Sequence, residues 1–266
     1  MADYYQIISG GASIAALYVL LLFVALVVTQ EIFHRFPRFT LALFSIASIV
    51  LFPCWILLFG VEDWFAWIKV FSIASGIILL SLFRTTRLGT KTLVRWSTYA
   101  FLVVNILEAV LKDITTGTGA NYLNALAGIL LIVTLNKIRT VHIDTSSKHK
   151  DLLWGSMTLP WIVGYTIWNW VFVYLNFGFQ SSMMHIAVLA SALVVVCVDK
   201  ERWLQARVFT LGTFFIFFHS FPHLSSRLLA AGQNERFGLF VSMISSGFMI
   251  LYTILHVRRS LLTKRK

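Results

Sequence analysis

The sequence predicts an all-α membrane protein, a polytopic bundle of about nine transmembrane helices with the N-terminus outside and the C-terminus inside. Of its 266 residues 58% are hydrophobic and 12% are charged, and the mean hydropathy is +0.81. Nine apolar stretches follow one another, each close to the roughly 20 residues that cross a hydrocarbon core of about 30 Å. Basic residues fall almost entirely into every second gap between these stretches. Length, composition and charge pattern therefore agree on the fold class.

The predicted spans follow one another with short gaps, none of which has the composition of a flexible linker. The longest inner gap, from Lys137 to Met157, divides five spans from four, and no sequence repeat relates the two parts. An inverted-repeat transporter is therefore not indicated, and residues 1–266 are interpreted as a single integral membrane domain. The spans are roughly 11–29, 40–60, 65–83, 93–111, 120–136, 159–176, 181–198, 206–222 and 237–256.

Basic residues give each span a predicted direction. All but four of the 22 Lys and Arg residues lie near the gaps after spans one, three, five and seven or in the C-terminal segment. Because basic loops are retained on the cytoplasmic side, these positions are expected inside, which requires an odd number of spans. The four outer residues are Lys69, Lys112, Arg227 and Arg236. The inner ones, in chain order, are Arg35, Arg38, Arg84, Arg87, Lys91, Arg95, Lys137, Arg139, Lys148, Lys150, Lys200, Arg202, Arg207, Arg258, Arg259, Lys264, Arg265 and Lys266.

Several functional classes lack their signature residues. The net charge of +11 is explained by topology and by contact with anionic lipid, so no nucleic acid partner is expected. The last span has no lysine for retinal, and neither a phosphate loop, a G-x-S-x-G elbow nor paired intramembrane aspartates appear. Cys54 and Cys197 are predicted near opposite membrane faces, which disfavours a disulfide or a cysteine metal site. We expect no cofactor.

Polar residues within the predicted spans favour the outer half of the membrane. Asn105, Glu108 and Lys112 share a face of span four, and Asn121 and Asn124 share a face of span five. A charged side chain at bilayer depth costs several kcal/mol unless it faces protein or water, so Glu108 is expected to point into the bundle. With residues of spans six to eight they predict an outward-facing polar pocket. Its expected ligand-binding residues are Asn105, Glu108, Lys112, Asn121, Asn124, Tyr165, Trp168, Asn169, His185 and His219.

A structural interpretation of the same residues stays open. Glu108 and Lys112 have the i, i+4 spacing of an ion pair, and asparagines often bridge membrane helices. Arg207, at the inner mouth of span eight, is expected to pair with Asp199 or Glu201.

His219 and His223 form an H-x-x-x-H pair that could share a metal ion on one helix face. Pro222 disturbs the helix between them, and zinc would need a third ligand, for which the outer-half candidates are His185, Glu108 and Asp113. We therefore predict no metal site. The neighbouring gap from Leu224 to Arg236 could form a short interfacial helix.

Three runs in the second half of the chain are distinctive: Asp151–Trp154, Trp161–Asn169 and Trp203–Leu211. They resemble a family of bacterial multi-pass membrane proteins described only as a domain of unknown function, over about residues 150–215. The resemblance implies a place in the bacterial cytoplasmic membrane and transfers no catalytic residue.

Three functional hypotheses follow. The first is a small-solute transporter or permease, with membrane lipids and a small molecule as partners. The second is a membrane-embedded enzyme acting on a lipid or lipid-linked substrate in the outer leaflet. The third is a non-transporting sensor or immunity-type membrane protein. The sequence leaves the substrate, the coupling ion and the oligomeric state open.

Overall fold

A computed structural model describes residues 11–60, 64–90, 92–135, 138–221 and 233–264. Within these ranges the chain forms a helical bundle, which confirms the all-α class. Three short 3-10 turns and one two-stranded hairpin, β1 (Val141–Ile143) with β2 (Leu152–Trp154), lie in the connections. The helices are α1 (Gly11–Arg35), α2 (Pro37–Phe59), α3 (Trp64–Thr85), α4 (Thr92–Thr116), α5 (Gly119–Val133), α6 (Leu159–Val196), α7 (Trp203–Ser220) and α8 (Glu235–Lys264).

Helix α6 is itself a helical hairpin. At Gly178 the backbone has φ 84° and ψ −179°, a conformation open to glycine because it lacks a Cβ atom. The Asn169 and His185 side chains meet with 2.6 Å between Oδ1 and Nε2, although residues 16 apart in a straight helix would be separated by about 24 Å. The Trp170 indole also donates to the Ser182 carbonyl oxygen (3.1 Å). The segments 159–177 and 179–196 are therefore antiparallel and correspond to predicted spans six and seven.

The helices have the length and surface of membrane-spanning segments. In the described ranges, six are long and apolar enough to cross a bilayer, namely Ala16–Arg35, Pro37–Leu58, Trp64–Thr85, Thr92–Thr116, Leu159–Val196 and Glu235–Leu262. Large aliphatic side chains cover their outer surfaces; Leu57 and Leu58 on α2 are 85% and 70% exposed. The chain is therefore built like a membrane protein, while nine crossings and their orientation stay predictions.

Contacts between helix termini divide the bundle into two ends. At the hairpin end, which carries β1 and β2, Arg84 Nη1 donates to the Phe33 carbonyl oxygen (3.1 Å), and Arg95 Nε donates to that of Val141 (3.2 Å). At the opposite end, called the far end below, the Tyr174 hydroxyl donates to the carbonyl oxygen of Asn234 (3.3 Å). Helical segments that follow one another in the sequence thus run in alternating directions.

Candidate functional site

Two cavities lie inside the bundle, between α3, α4, α6 and α7. The larger has a volume of about 190 Å³ and extends to Phe218 and His219 at the far end. The smaller, of about 70 Å³, extends to Phe83 and Leu152 at the hairpin end. Asn105, Arg207 and Leu211 line both of them. The two cavities therefore follow one another along the bundle and meet at a polar constriction.

Arg207 forms the charged part of this constriction and is only 3% exposed. Helix α7 begins at Trp203, so Arg207 lies a full turn inside it and faces α6. Its Nη2 donates to Asn169 Oδ1 (2.9 Å), and the guanidinium lies 5.9 Å from the centre of the Tyr165 ring. Within the described part of the chain, its Nε and Nη1 have no hydrogen-bond partner.

The predicted pairing of Arg207 with Asp199 or Glu201 is wrong. The Asp199 carboxylate instead caps the turn before α7, accepting a hydrogen bond from the backbone N–H of Glu201 (2.9 Å). Arg207 is turned away from that end and into the bundle, because its position on α7 faces α6.

Asn169 and His185 complete the polar wall beside Arg207. Both belong to the α6 hairpin, and Asn169 Oδ1 accepts from Arg207 Nη2 (2.9 Å) and from His185 Nε2 (2.6 Å). The Tyr165 hydroxyl, one turn earlier on α6, donates to Asn105 Oδ1 on α4 (3.5 Å). Of the predicted ligand-binding residues, four line the larger cavity, and Tyr165 lines the smaller one. Those four are Asn105, Asn169, His185 and His219.

Glu108 pairs with Lys69 rather than with Lys112. Both partners are buried, with 2.7 Å between Lys69 Nζ and Glu108 Oε2, and Nζ also donates to the Asn105 carbonyl oxygen (3.0 Å). The Glu108–Lys112 pair, which the spacing left open as an alternative, does not form, because α3 brings Lys69 against the buried face of α4. Lys112 is half-buried, with Nζ 5.9 Å from the centre of the Phe65 ring.

Sequence reasoning overlooked Lys69 as a site residue, although it lines the larger cavity. The charge pattern identifies Lys69 only as one of four outer basic residues. Its place within the apolar run of span three, near the same membrane face as Glu108, was the available signal.

Asn121 and Asn124 bind a carboxylate of the protein itself instead of lining the cavities. Their amide groups donate to Asp113 Oδ1 and Oδ2 (2.8 Å each), and Asn176 Nδ2 donates to Oδ1 (2.6 Å). Asn124 Oδ1 in turn accepts from Ser245 of α8 (3.1 Å). This group, called the Asp113 clamp below, ties α4, α5, α6 and α8 together. The structural interpretation of the asparagines applies to these residues.

Trp168 is packing and not cavity wall. Its indole N–H donates to the Asn124 carbonyl oxygen (3.1 Å), and its ring lies against Gly128, where an added Cβ would be 2.9 Å from Nε1.

The described residues do not assemble a metal centre. His219 lies 5.4 Å from the Trp55 ring, and its Nδ1 is 3.0 Å from the Phe215 carbonyl oxygen. No three His, Cys, Asp or Glu side chains in this part of the chain could hold a metal ion together. His223 and most of the segment from Leu224 to Arg236, with its predicted interfacial helix, lie outside the described residues.

Asp151 organises a second polar cluster, at the hairpin end. His34 Nε2 lies 3.1 Å from Asp151 Oδ1, and Gln205 Nε2 donates to the same oxygen (2.7 Å). Burial raises the pKa of Asp151, but the hydrogen bonds from His34 and Gln205 and the charges of His34 and Arg202 outweigh it and lower the pKa to about 2. The carboxylate thus fixes the β hairpin to α1 and α7 and serves the fold.

Comparison with known protein families gives a match over nearly the whole chain. A family model described as "Family of unknown function (DUF5692)" matches residues 10–266. The match covers the helices that form both cavities and extends well beyond the resemblance over residues 150–215. No curated protein and no solved structure matches the chain.

Proposed function

We propose that this chain, which belongs to the DUF5692 family of unknown function, is a permease that carries a small solute across the cell membrane. One observation carries the proposal: two cavities meet end to end at Arg207 and Asn105 inside an apolar helical bundle. A binding protein or sensor needs one cavity, whereas a transport path needs access from both sides of a constriction.

The polar residues at the constriction support this function. Ionisable side chains inside membrane bundles are costly to bury and commonly mark substrate or ion pathways. Transporter sites also tend to lie near the bilayer midplane, with cavities reaching toward either surface. Arg207 lies between two cavities in the same way, since the larger cavity extends from it to the far end and the smaller one to the hairpin end.

The proposed orientation puts the far end outside and the hairpin end in the cytoplasm. It rests on the basic side chains of the hairpin end, among which Arg35, Arg38, Lys148 and Lys150 are exposed. In this orientation the larger cavity is on the outer side of the membrane, where the sequence predicts a polar pocket.

Uptake into proteoliposomes tests transport directly. Purified full-length protein is reconstituted, and entry of radiolabelled glycerol, putrescine, isobutyrate and benzoate is compared with entry into protein-free liposomes. Leu211 lines both cavities, so Leu211→Trp should fill their junction and abolish uptake of the transported solute.

Leu251→Trp is the matched control, because Leu251 is 58% exposed on the outer surface of α8 and its replacement leaves the cavities unchanged. Uptake that equals protein-free liposomes for every solute, or that is the same in both tryptophan variants, contradicts the proposed path.

A further inference from the structure

We infer that the solute is a small organic monoanion, with its carboxylate bound to Arg207 and its apolar body in the larger cavity. Its role as cargo rests on the proposed function, whereas its binding can be measured without transport. Three observations lead to this class of ligand: the charge balance, the two Arg207 donor atoms that have no partner among the described residues, and the cavity wall.

The charges around the constriction do not cancel. Lys69 and Glu108 neutralise each other at 2.7 Å. Arg207 is buried, and none of the described carboxylates lies within ion-pair distance of its guanidinium. A buried arginine keeps its charge, because the guanidinium is not deprotonated in proteins. One positive charge therefore remains, and a ligand with one negative charge would balance it.

Arg207 also has unused hydrogen-bonding capacity. Only Nη2 has polar contacts, with Asn169 Oδ1 at 2.9 Å and His185 Nε2 at 3.4 Å, while Nε and Nη1 have no partner among the described residues. Unpartnered buried donors are rare in folded proteins, because they have lost water without gaining a protein acceptor. Carboxylate oxygens are strong acceptors for guanidinium N–H groups.

The wall of the larger cavity defines the rest of the ligand. Rings of Phe172, Phe177, Phe214 and Phe218 face a volume of about 190 Å³, far more than the ~10–15 Å³ that suffices for one water molecule. Chloride or phosphate would leave this aromatic wall uncovered, and a phosphate dianion would exceed the single positive charge. An apolar or aromatic body of a few carbons fits both constraints.

Calorimetric titration of the purified full-length protein in detergent tests the assignment. The probes are acetate, isobutyrate and benzoate, each compared with its neutral amide, together with chloride and inorganic phosphate. We expect at least one acid to bind roughly tenfold or more tightly than its amide, since a charged hydrogen-bond partner is lost in the amide. If no acid binds more tightly than its amide, or inorganic phosphate binds more tightly than every acid, the assigned class is wrong.

Two variants locate the binding at Arg207. Arg207→Gln should weaken binding of the preferred acid by roughly tenfold or more. Asn169→Asp keeps the shape and puts a carboxylate where Asn169 Oδ1 now lies, 2.9 Å from Arg207 Nη2, so it should abolish acid binding and preserve the thermal stability. Arg38→Gln, which removes an exposed cation, is the control and should bind as the wild type does.

Asn169→Asp keeps the test decisive if Arg207→Gln does not fold. Unchanged acid affinity in Asn169→Asp would overturn the inference. Acid binding without uptake into proteoliposomes would leave the ligand class standing and remove the permease function. Uptake of glycerol or putrescine without acid binding would leave the permease function standing and remove the assigned ligand class.

Discussion

Buried charged side chains in this bundle are stabilised in different ways. Asp113 receives amide N–H groups from three asparagines, and Glu108 meets the ammonium group of Lys69. Arg207 has one strong acceptor, the Asn169 amide oxygen. Both carboxylates are stabilised within the protein, Asp113 by hydrogen bonds from neutral amides and Glu108 by a counter-charge, so we assign them a structural role. Arg207 has no counter-charge among the described residues, and its Nε and Nη1 donors have no acceptor there. The binding site is assigned to Arg207 for this reason.

Glu108→Gln should destabilise the protein markedly. The substitution keeps the shape but leaves the Lys69 charge buried without a counter-charge, a change that typically costs about 3–5 kcal/mol. An exposed pair with Lys112 would change stability by no more than about 1 kcal/mol. The measurement is the thermal unfolding midpoint in detergent, with Lys112→Gln as the control that stays near wild type.

The double variant Lys69→Met, Glu108→Leu removes both charges and should recover most of this loss, because an apolar pair of similar size avoids the burial of charge. Equal midpoints for Glu108→Gln and the wild type would contradict the buried pair.

Asp151 should make stability sensitive to acid. Its pKa is about 2 in the folded protein, against an ordinary value of 3.8. A lowered pKa contributes stability that is present above pH 4 and is lost as the pH falls toward 2, here by about 2 kcal/mol. Unfolding midpoints between pH 7 and pH 2 should therefore fall less steeply in Asp151→Asn than in the wild type. Glu235→Gln, at an exposed position of the far end, should retain the wild-type slope.

At the scale of elements, the sequence located the helices well and their termini less well. Predicted span 120–136 corresponds to α5, which ends at Val133, and span 237–256 to α8, which continues to Lys264. Hydropathy follows the apolar residues, whereas backbone hydrogen bonds set the helix termini. A helix can therefore end before the predicted span does, as α5 does, or continue beyond it into polar residues, as α8 does. The two strands of three residues each were not predicted, because such short strands lack a periodic signal.

The candidate site was predictable only in part for a related reason. Spacing within one helix placed Asn105, Glu108 and Lys112 on one face of α4 and offered Lys112 as a partner of Glu108. The true partner, Lys69, comes from another helix. Periodicity describes the face of a single helix and contains no information about which face of another helix it meets. For the same reason the sequence did not show that Asn105 and Asn169 line the cavity while Asn121 and Asn124 belong to the Asp113 clamp.

At Gly128, helix α5 packs so closely against α4 and α6 that there is no room for a larger side chain. A Cβ there would lie 2.5 Å from Val110 Cγ2 and 2.9 Å from Trp168 Nε1. Gly128→Ala should therefore lower stability by about 1–3 kcal/mol through overpacking, despite the better helix propensity of alanine.

Gly247→Ala is the matched control for this change, since a Cβ at Gly247 on α8 would meet nothing within 4 Å. Thermal unfolding of the two alanine variants measures the difference. Similar midpoints for both would show that the helices do not approach as closely as described.

For the whole molecule, orientation is the decisive prediction. Single cysteines are placed in a chain whose Cys54 and Cys197 have been replaced, at Thr115 and Glu235 of the far end and at Thr86 and Thr145 of the hairpin end, all exposed. An impermeant thiol reagent applied to intact cells should label the far-end pair alone, because the basic hairpin end is retained in the cytoplasm. Labelling of the hairpin-end pair alone would invert the orientation and place the larger cavity on the inner side.

The turn at Gly178 also affects how the chain enters the membrane during its synthesis. The two halves of α6 are adjacent in sequence, so Asn169 can meet His185 as soon as both segments have left the ribosome, before α7 and α8 have emerged from it. Each polar side chain then enters the lipid with its partner already bound, which reduces the cost of inserting it. The hairpin can therefore insert as one unit, and Arg207 joins a preformed acceptor when α7 follows.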